Sequence, residues 1–231
     1  MVSLEPIWHR ARLDLTLTGE HGEPDIYLCE HSIRVAQGAL KIARLPDIAS
    51  QGPDEAAVVA AGLYHEAGWI VRLRNGEAQR SDILIRPTPE NHREQGADWM
   101  EKSLSELLLG PSLEKAAEAI RTLNDREVAS LEGQIVTEAD NLDEFGVIAL
   151  WPAVRRGALE GKGVRTVIDT WKRRKEYQFW TARLNDSFRF AAVREVARAR
   201  LAKLERVMVE LEEQLQNDDV LADVHEMKPV S

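Results

Sequence analysis

Residues 54–68 read DEAAVVAAGLYHEAG. Acids stand at the front, where the exposed amides and positive end of a helix favour them, and Pro53 suits a first turn. A nearly unbroken apolar run follows and a glycine closes it, so a helix is expected from Asp54 to about Glu66, ending near Gly68. Working outward, apolar residues recur at spacings of three and four through most of the chain, and clean period-two alternation is almost absent. Ile33, Ala36, Leu40 and Ala43 form one stripe on a helix from Glu30 to Arg44 that Pro46 closes. Thr88 is expected to cap a helix through Leu109, and Ser112 one to Leu123. A long helical stretch spans Leu131 to Arg156 with Pro152 kinking it, and further helices span Val164 to Arg183 and Phe188 to Leu215. Residues 69–87 hold Asn75-Gly76 between short apolar runs and read as a small hairpin or an irregular loop. The expected fold is all-α, one helical-bundle domain over residues 25–215. An N-terminal flank (1–24) and a loose tail (216–231) frame it.

The chain has 231 residues, 44% of them hydrophobic, and a formal net charge of -9. That charge disfavours an extended grip on nucleic acid, which needs a basic face. It leaves room for a small anionic ligand at a local positive site. Cys29 is the one cysteine, so no internal disulfide and no cysteine-based zinc motif can form. No run approaches the length of a membrane span, and the start MVSLEPIWHRARLDL lacks a signal peptide's pattern. A cytoplasmic protein with no membrane partner is expected.

Of the six histidines, His31, His65 and His92 lie in helical segments among small apolar residues. A buried imidazole needs a hydrogen bond or a metal at its nitrogens. His65 is followed at once by Glu66 in a segment too apolar to accept an idle charge. A divalent cation could hold both; alternatively Glu66 turns to water or pairs with an arginine. Downstream, IVTEADNLDEFG crowds Glu138, Asp140, Asp143 and Glu144 onto one helix. Asp140 shares a face with Asp143 and Glu144 by three- and four-residue spacing. The cluster is either a solvated acidic face or a cation site.

Taken in order, His31, His65-Glu66 and Asp140 resemble the His, His-Asp, Asp signature of the HD superfamily of metal-dependent phosphohydrolases. EHSIRVAQGALKIA is similar to that family's first helix, AAGLYHEAG to its AALLHDIG segment and EADNLDEFG to its DADRLDALG segment; with the late helices, the likeness covers about residues 25–215. The resemblance implies an all-α bundle with one divalent ion (Mn, Fe, Co, Ni or Mg) held by His31, His65, Glu66 and Asp140. Glu66 stands where the family has Asp. His92 fits a further histidine of binuclear members, while Asn124 or Asp125 stands where the next would fall, so a second metal would be weaker.

The implied activity is hydrolysis of a phosphate monoester or nucleotide through a metal-activated water. Glu66 and Asp140 would serve as catalytic ligands, and Glu138 (or Asp143) would orient them. His92 could bind metal, donate a hydrogen bond to a substrate phosphate, or be an ordinary surface histidine. Arg155 and Arg156 could clamp a phosphate or serve as surface charges. The KRRK run at 172–175 admits the same two readings. A di-iron oxygenase on the same fold and a degenerate, non-catalytic module are the rivals. The amphipathic helix from Phe188 permits a homodimer.

Overall fold

A computed structural model describes residues 3–19, 21–108, 110–123 and 127–220. Asn124, Asp125 and the tail from residue 221 on lie outside them. The chain divides into two compact units, residues 1–143 and 144–231, where the helical patterning alone points to one domain.

The first unit opens with α1 (Glu5–Leu15) and a two-residue antiparallel pair, β1 (Leu17–Thr18) and β2 (Pro24–Asp25), with Leu17 opposite Asp25. Then come α2 (Tyr27–Ala43), α3 (Pro46–Ala49), α4 (Glu55–Tyr64), α5 (Gly68–Arg74), α6 (Asp82–Ile85), α7 (His92–Leu104), α8 (Pro111–Arg121) and α9 (Leu131–Asp143). The fold is all-α, as the periodicity requires.

Helix α4 is the central element. Every residue from Ala56 to Tyr64 is buried, because an all-round apolar helix has no polar face to offer water. It packs against α2, α7, α8 and α9. Asp54 caps it, accepting hydrogen bonds from the Ala56 and Ala57 amides at 3.1 Å. The Asp54 amide donates to Glu132 on α9 (3.0 Å), Ser112 on α8 donates to the Asp54 carboxylate (2.6 Å), and Lys115 meets Glu132 at 3.1 Å. One polar knot thus ties the starts of three core helices together.

Burial opposes ionisation of Glu132, but the Asp54 amide and Lys115 outweigh it and hold the carboxyl below its ordinary range. A depressed folded-state value means the stabilisation is fully present above the unfolded range, near pH 4.3, and is lost as pH falls from there through the lower folded-state value. Glu132→Gln should therefore lower stability at pH 7 by about 1.5–3 kcal/mol. The gap to the parent should begin to narrow below about pH 4 and keep shrinking as pH falls further, which urea melts across pH would measure.

Several boundaries depart from the sequence reading. The N-terminal flank contributes a core helix: Ile7, Ala11 and Leu15 of α1 are fully buried, and Asp14 accepts from the Tyr64 hydroxyl at 2.8 Å. Residues 69–87 form no hairpin. Gly68, Trp69 and Ile70 are buried on the one-sided helix α5, and Asn75-Gly76 ends it, so the strand pair sits instead at 17–25. Thr88 does not cap α7, which starts four residues later at His92. Ser112 lies inside the first turn of α8, with Gly110 as its cap, and spends its hydroxyl on Asp54. The stretch expected from Leu131 to Arg156 breaks at residues 144–146 rather than at Pro152, which sits harmlessly in a first turn.

Among its described residues the second unit holds a 3-10 turn (Val147–Ala149), α10 (Leu150–Leu159), α11 (Val164–Glu176), α12 (Phe179–Asp186) and the long α13 (Ala191–Gln216). The helix expected over 164–183 is two helices, parted at Gln178, which adopts a left-handed φ of 52°. Phe145, Trp180 and Phe188 pack edge to face with ring centres 5.2–5.4 Å apart. Helix α11 packs on α10, α12 and α13. No helix among the described residues is long and apolar enough to cross a membrane.

Candidate metal centre

Three helices of the first unit each bring one side chain to a common point: His31 from α2, His65 from the turn that ends α4, and Asp140 from α9. The helices can approach because Gly62 lies at the α2–α4 crossing. A Cβ there would stand 2.7 Å from the Ala36 Cα, which is backbone and cannot yield. Gly62→Ala should force α2 off α4, costing about 1–3 kcal/mol in stability and parting the two histidines. Thermal melts and a metal-binding titration would register both.

The Nε2 atoms of His31 and His65 stand 3.1 Å apart. Asp140 Oδ1 lies 3.6 Å from the first and 3.5 Å from the second. The other ring nitrogens settle the tautomers. His65 Nδ1 faces the Gly62 carbonyl at 2.9 Å, and His31 Nδ1 faces the Asp143 carboxylate at 2.9 Å. Both partners only accept, so both Nδ1 atoms donate, which leaves Nε2 of each ring as the atom that offers a lone pair whenever the proton between them is displaced. Two imidazole lone pairs and a carboxylate oxygen aimed at one point repel unless a positive charge sits among them. Ligands about 2.0–2.2 Å from one ion, at angles between 90° and tetrahedral, lie about 3–3.5 Å from each other. The three side chains fit a divalent cation.

The local field says the same. Burial opposes charge on His65, which is fully buried, but the Asp140 carboxylate overrides it, with Glu66 and the Gly62 carbonyl adding, and the ring's pKa is raised to about 9. A site that draws a proton so strongly into the interior draws a metal cation by the same attraction.

Asp143 orients the site from behind. Besides the His31 ring it takes a two-pronged contact from Arg34, with Nε at 2.9 Å and a terminal nitrogen at 3.0 Å. Burial would raise the Asp143 carboxyl, yet His31 and Arg34 overcome it and hold it below the ordinary range. A ligating histidine whose second nitrogen is fixed by a carboxylate has its rotation and tautomer set in advance. Arg34 escaped the sequence reading, although it lies one helical turn after His31.

Glu66 lies beside the trio rather than in it. The three atoms that lie within 4.8 Å of one another belong to His31, His65 and Asp140, whereas Glu66 Oε2 is 3.3 Å from His92 Nε2. Burial works against the Glu66 charge, but His92, then His65 and His31, hold its carboxyl below the ordinary range. His92 is 1% exposed, so its ring reaches Glu66 and not the surface. Close approach at Gly68 seats it there, since a Cβ would fall 2.3 Å from the His92 carbonyl oxygen. Glu138 is fully buried on α9; two residues from Asp140, it projects about 200° round the helix, and the orienting contact to His31 comes from Asp143 instead. Arg155 stands on α10, outside the unit that carries the trio.

The HD domain family matches over residues 28–144, and the chain belongs to that family. The match runs from the start of α2 through α9, the helices that carry the three convergent side chains. Solved structures similar to the chain include that of YpgQ from Bacillus subtilis in complex with ADP, 18% identical with a TM-score of 0.58, covering 92% of this chain and 97% of that one. A predicted HD superfamily hydrolase from an uncultured Thermotogales bacterium is 18% identical with a TM-score of 0.54, covering 94% and 93%. An HD-superfamily hydrolase from Bacillus thuringiensis is 17% identical with a TM-score of 0.55, covering 92% and 96%. At such identities the likeness establishes the fold. No curated protein matches significantly.

Proposed function

We propose that the protein is a metal-dependent phosphohydrolase acting on a phosphate monoester or nucleotide. The observation that carries this reading is the convergence of His31 Nε2, His65 Nε2 and Asp140 Oδ1 within 4.8 Å, in a chain of the HD domain family. Three protein ligands leave coordination positions open for water and substrate, the pattern of catalytic rather than structural sites. The ADP held by YpgQ favours the nucleotide branch of the substrate class.

When bound, a divalent ion acidifies water toward neutral pKa and withdraws charge from a phosphoryl oxygen. The chain's own residues prepare for it. His31 and His65 have their Nδ1 atoms engaged by Asp143 and the Gly62 carbonyl, so that both rings present Nε2 to the ion. Asp140 and the ionised Glu66 supply two negative charges that balance a dication, and His92 Nε2 stands 3.3 Å from one Glu66 oxygen. Glu66, a methylene longer than aspartate, thereby keeps its charge at the edge of the trio.

The test is elemental analysis of protein purified without added metal. Chelation and reloading with Mn, Co, Mg, Ni or Fe follow, each form assayed for phosphate release from nucleotides and generic phosphate esters. Bound metal with hydrolysis that is lost on chelation and restored on reloading is expected. A metal-free protein inert across the panel would identify a degenerate module, and two irons with an oxygen-dependent spectrum would identify an oxygenase; either would overturn the proposal.

A further inference from the structure

The second unit contains a cavity of about 300 Å³, within the range that holds small organic ligands. Its floor is apolar: Trp180, Leu204 and Met208 are buried beneath it. Trp171 forms a wall, its ring 5.6 Å from that of Trp180. The rim is cationic. Arg156 and Arg174 line it, together with Lys162 and the hydroxyl residues Thr166 and Thr170. Glu160 is the one acid lining the cavity and meets Lys162 at 2.5 Å. The residues lining the cavity thus include more cations than acids, in a chain whose net charge is -9.

The KRRK run supplies one of the two arginines. Lys172 and Lys175 pair with Glu212 and Glu205 on α13, which ties α11 down. Arg174 turns the other way and stacks over Phe179 and Trp180, 5.0 and 5.7 Å from their ring centres. Desolvation against those rings lowers its proton affinity; Glu144 works against the shift, and Arg156, Arg183 and Arg173 add to it. A guanidinium laid on an aromatic ring at the mouth of an apolar cavity is placed to receive an anion whose body enters the cavity.

We infer that this cavity binds a small organic anion with a planar aromatic body, the ring resting among Trp171, Trp180, Leu204 and Met208 and the acidic group reaching Arg156 and Arg174. It lies wholly in the second unit, outside residues 28–144, and needs none of the metal ligands. A phosphate or a carboxylate on an aromatic framework satisfies the same chemistry.

The test uses the full chain and two fluorescent probes with the same ring system, the anionic 1-anilinonaphthalene-8-sulfonate and the uncharged N-phenyl-1-naphthylamine. The sulfonate should bind at least about tenfold more tightly, since it alone makes the charge-assisted contacts. Arg174→Ala and Arg156→Ala should each weaken it by about tenfold, with circular dichroism confirming unchanged helix content. Arg173→Ala, on the same helix but not lining the cavity, should leave binding as it was. His65→Ala should also leave it unchanged, so failure here and failure of the metal centre are told apart. Adenosine 5′-monophosphate and 1-naphthoate would then compete for the bound dye. Displacement by either supports the site and shows which acid it prefers. Displacement by neither, equal affinity for the uncharged probe, or indifference to both arginine substitutions would overturn it.

Discussion

Protein carrying His65→Ala is expected to emerge from purification with metal at background and without phosphate release, and Asp140→Ala to do the same. Each removes one of the three ligand atoms that converge among the described residues, and an ion held by the remaining pair loses both affinity and geometry. Several kcal/mol of charge stabilisation disappear with it, so any hydrolysis should drop by about a thousandfold or more. The two variants differ in a useful way. His65 is fully buried while the Asp140 side chain is 14% exposed, so Asp140→Ala leaves the smaller hole and should keep nearly parental helicity and melting behaviour. Full metal content in Asp140→Ala, measured by elemental analysis, would reject the centre.

The second large effect is expected at Asp143, which supplies no ligand atom itself but holds the His31 ring. Asp143→Asn keeps a hydrogen-bond acceptor for the His31 ring but removes the negative charge that Arg34 grips. An uncompensated guanidinium would then stand one residue behind the cation site. Loss of such an orienting carboxylate costs about 10- to 100-fold in metal affinity, and the freed Arg34 charge pushes in the same direction. Competition against a chelating dye would measure it. Arg34→Ala, which leaves the Asp143 charge in place, should weaken the metal far less. Equal affinities for parent and Asp143→Asn would show that the carboxylate merely fills space.

Much of the site was legible in the chain. Three-residue spacing puts Asp140 and Asp143 on one face of α9, and the structure uses that face, one carboxylate joining the trio and the other holding His31. The apolar wrapping of His65 announced an imidazole with somewhere to aim. Glu66 was harder, since adjacent residues on a helix point about 100° apart, and whether an acid next to His65 turns inward depends on what waits there. His92 waits there, brought in by a glycine at position 68 whose role is visible only when α5 and α7 are packed. Arg34 looked like one more charge on an amphipathic helix, because its partner is 109 residues away along the chain.

Fold class and helix content were set by local periodicity, which acts over a few residues and can be read along the chain: α2, α4, α7, α8, α9 and α13 all answer to it. Left-handed Gln178, the break after Asp143, the absent hairpin at 69–87 and the helix hidden in the N-terminal flank were settled by packing instead. There the local preferences are weak or balanced, and burial of side chains distant in sequence supplies the deciding free energy. The convergence of three lone pairs on one point belongs to the same category. Sequence determined which residues could hold a cation, and only the crossing of α2, α4 and α9 brought their ligand atoms within 4.8 Å of one another.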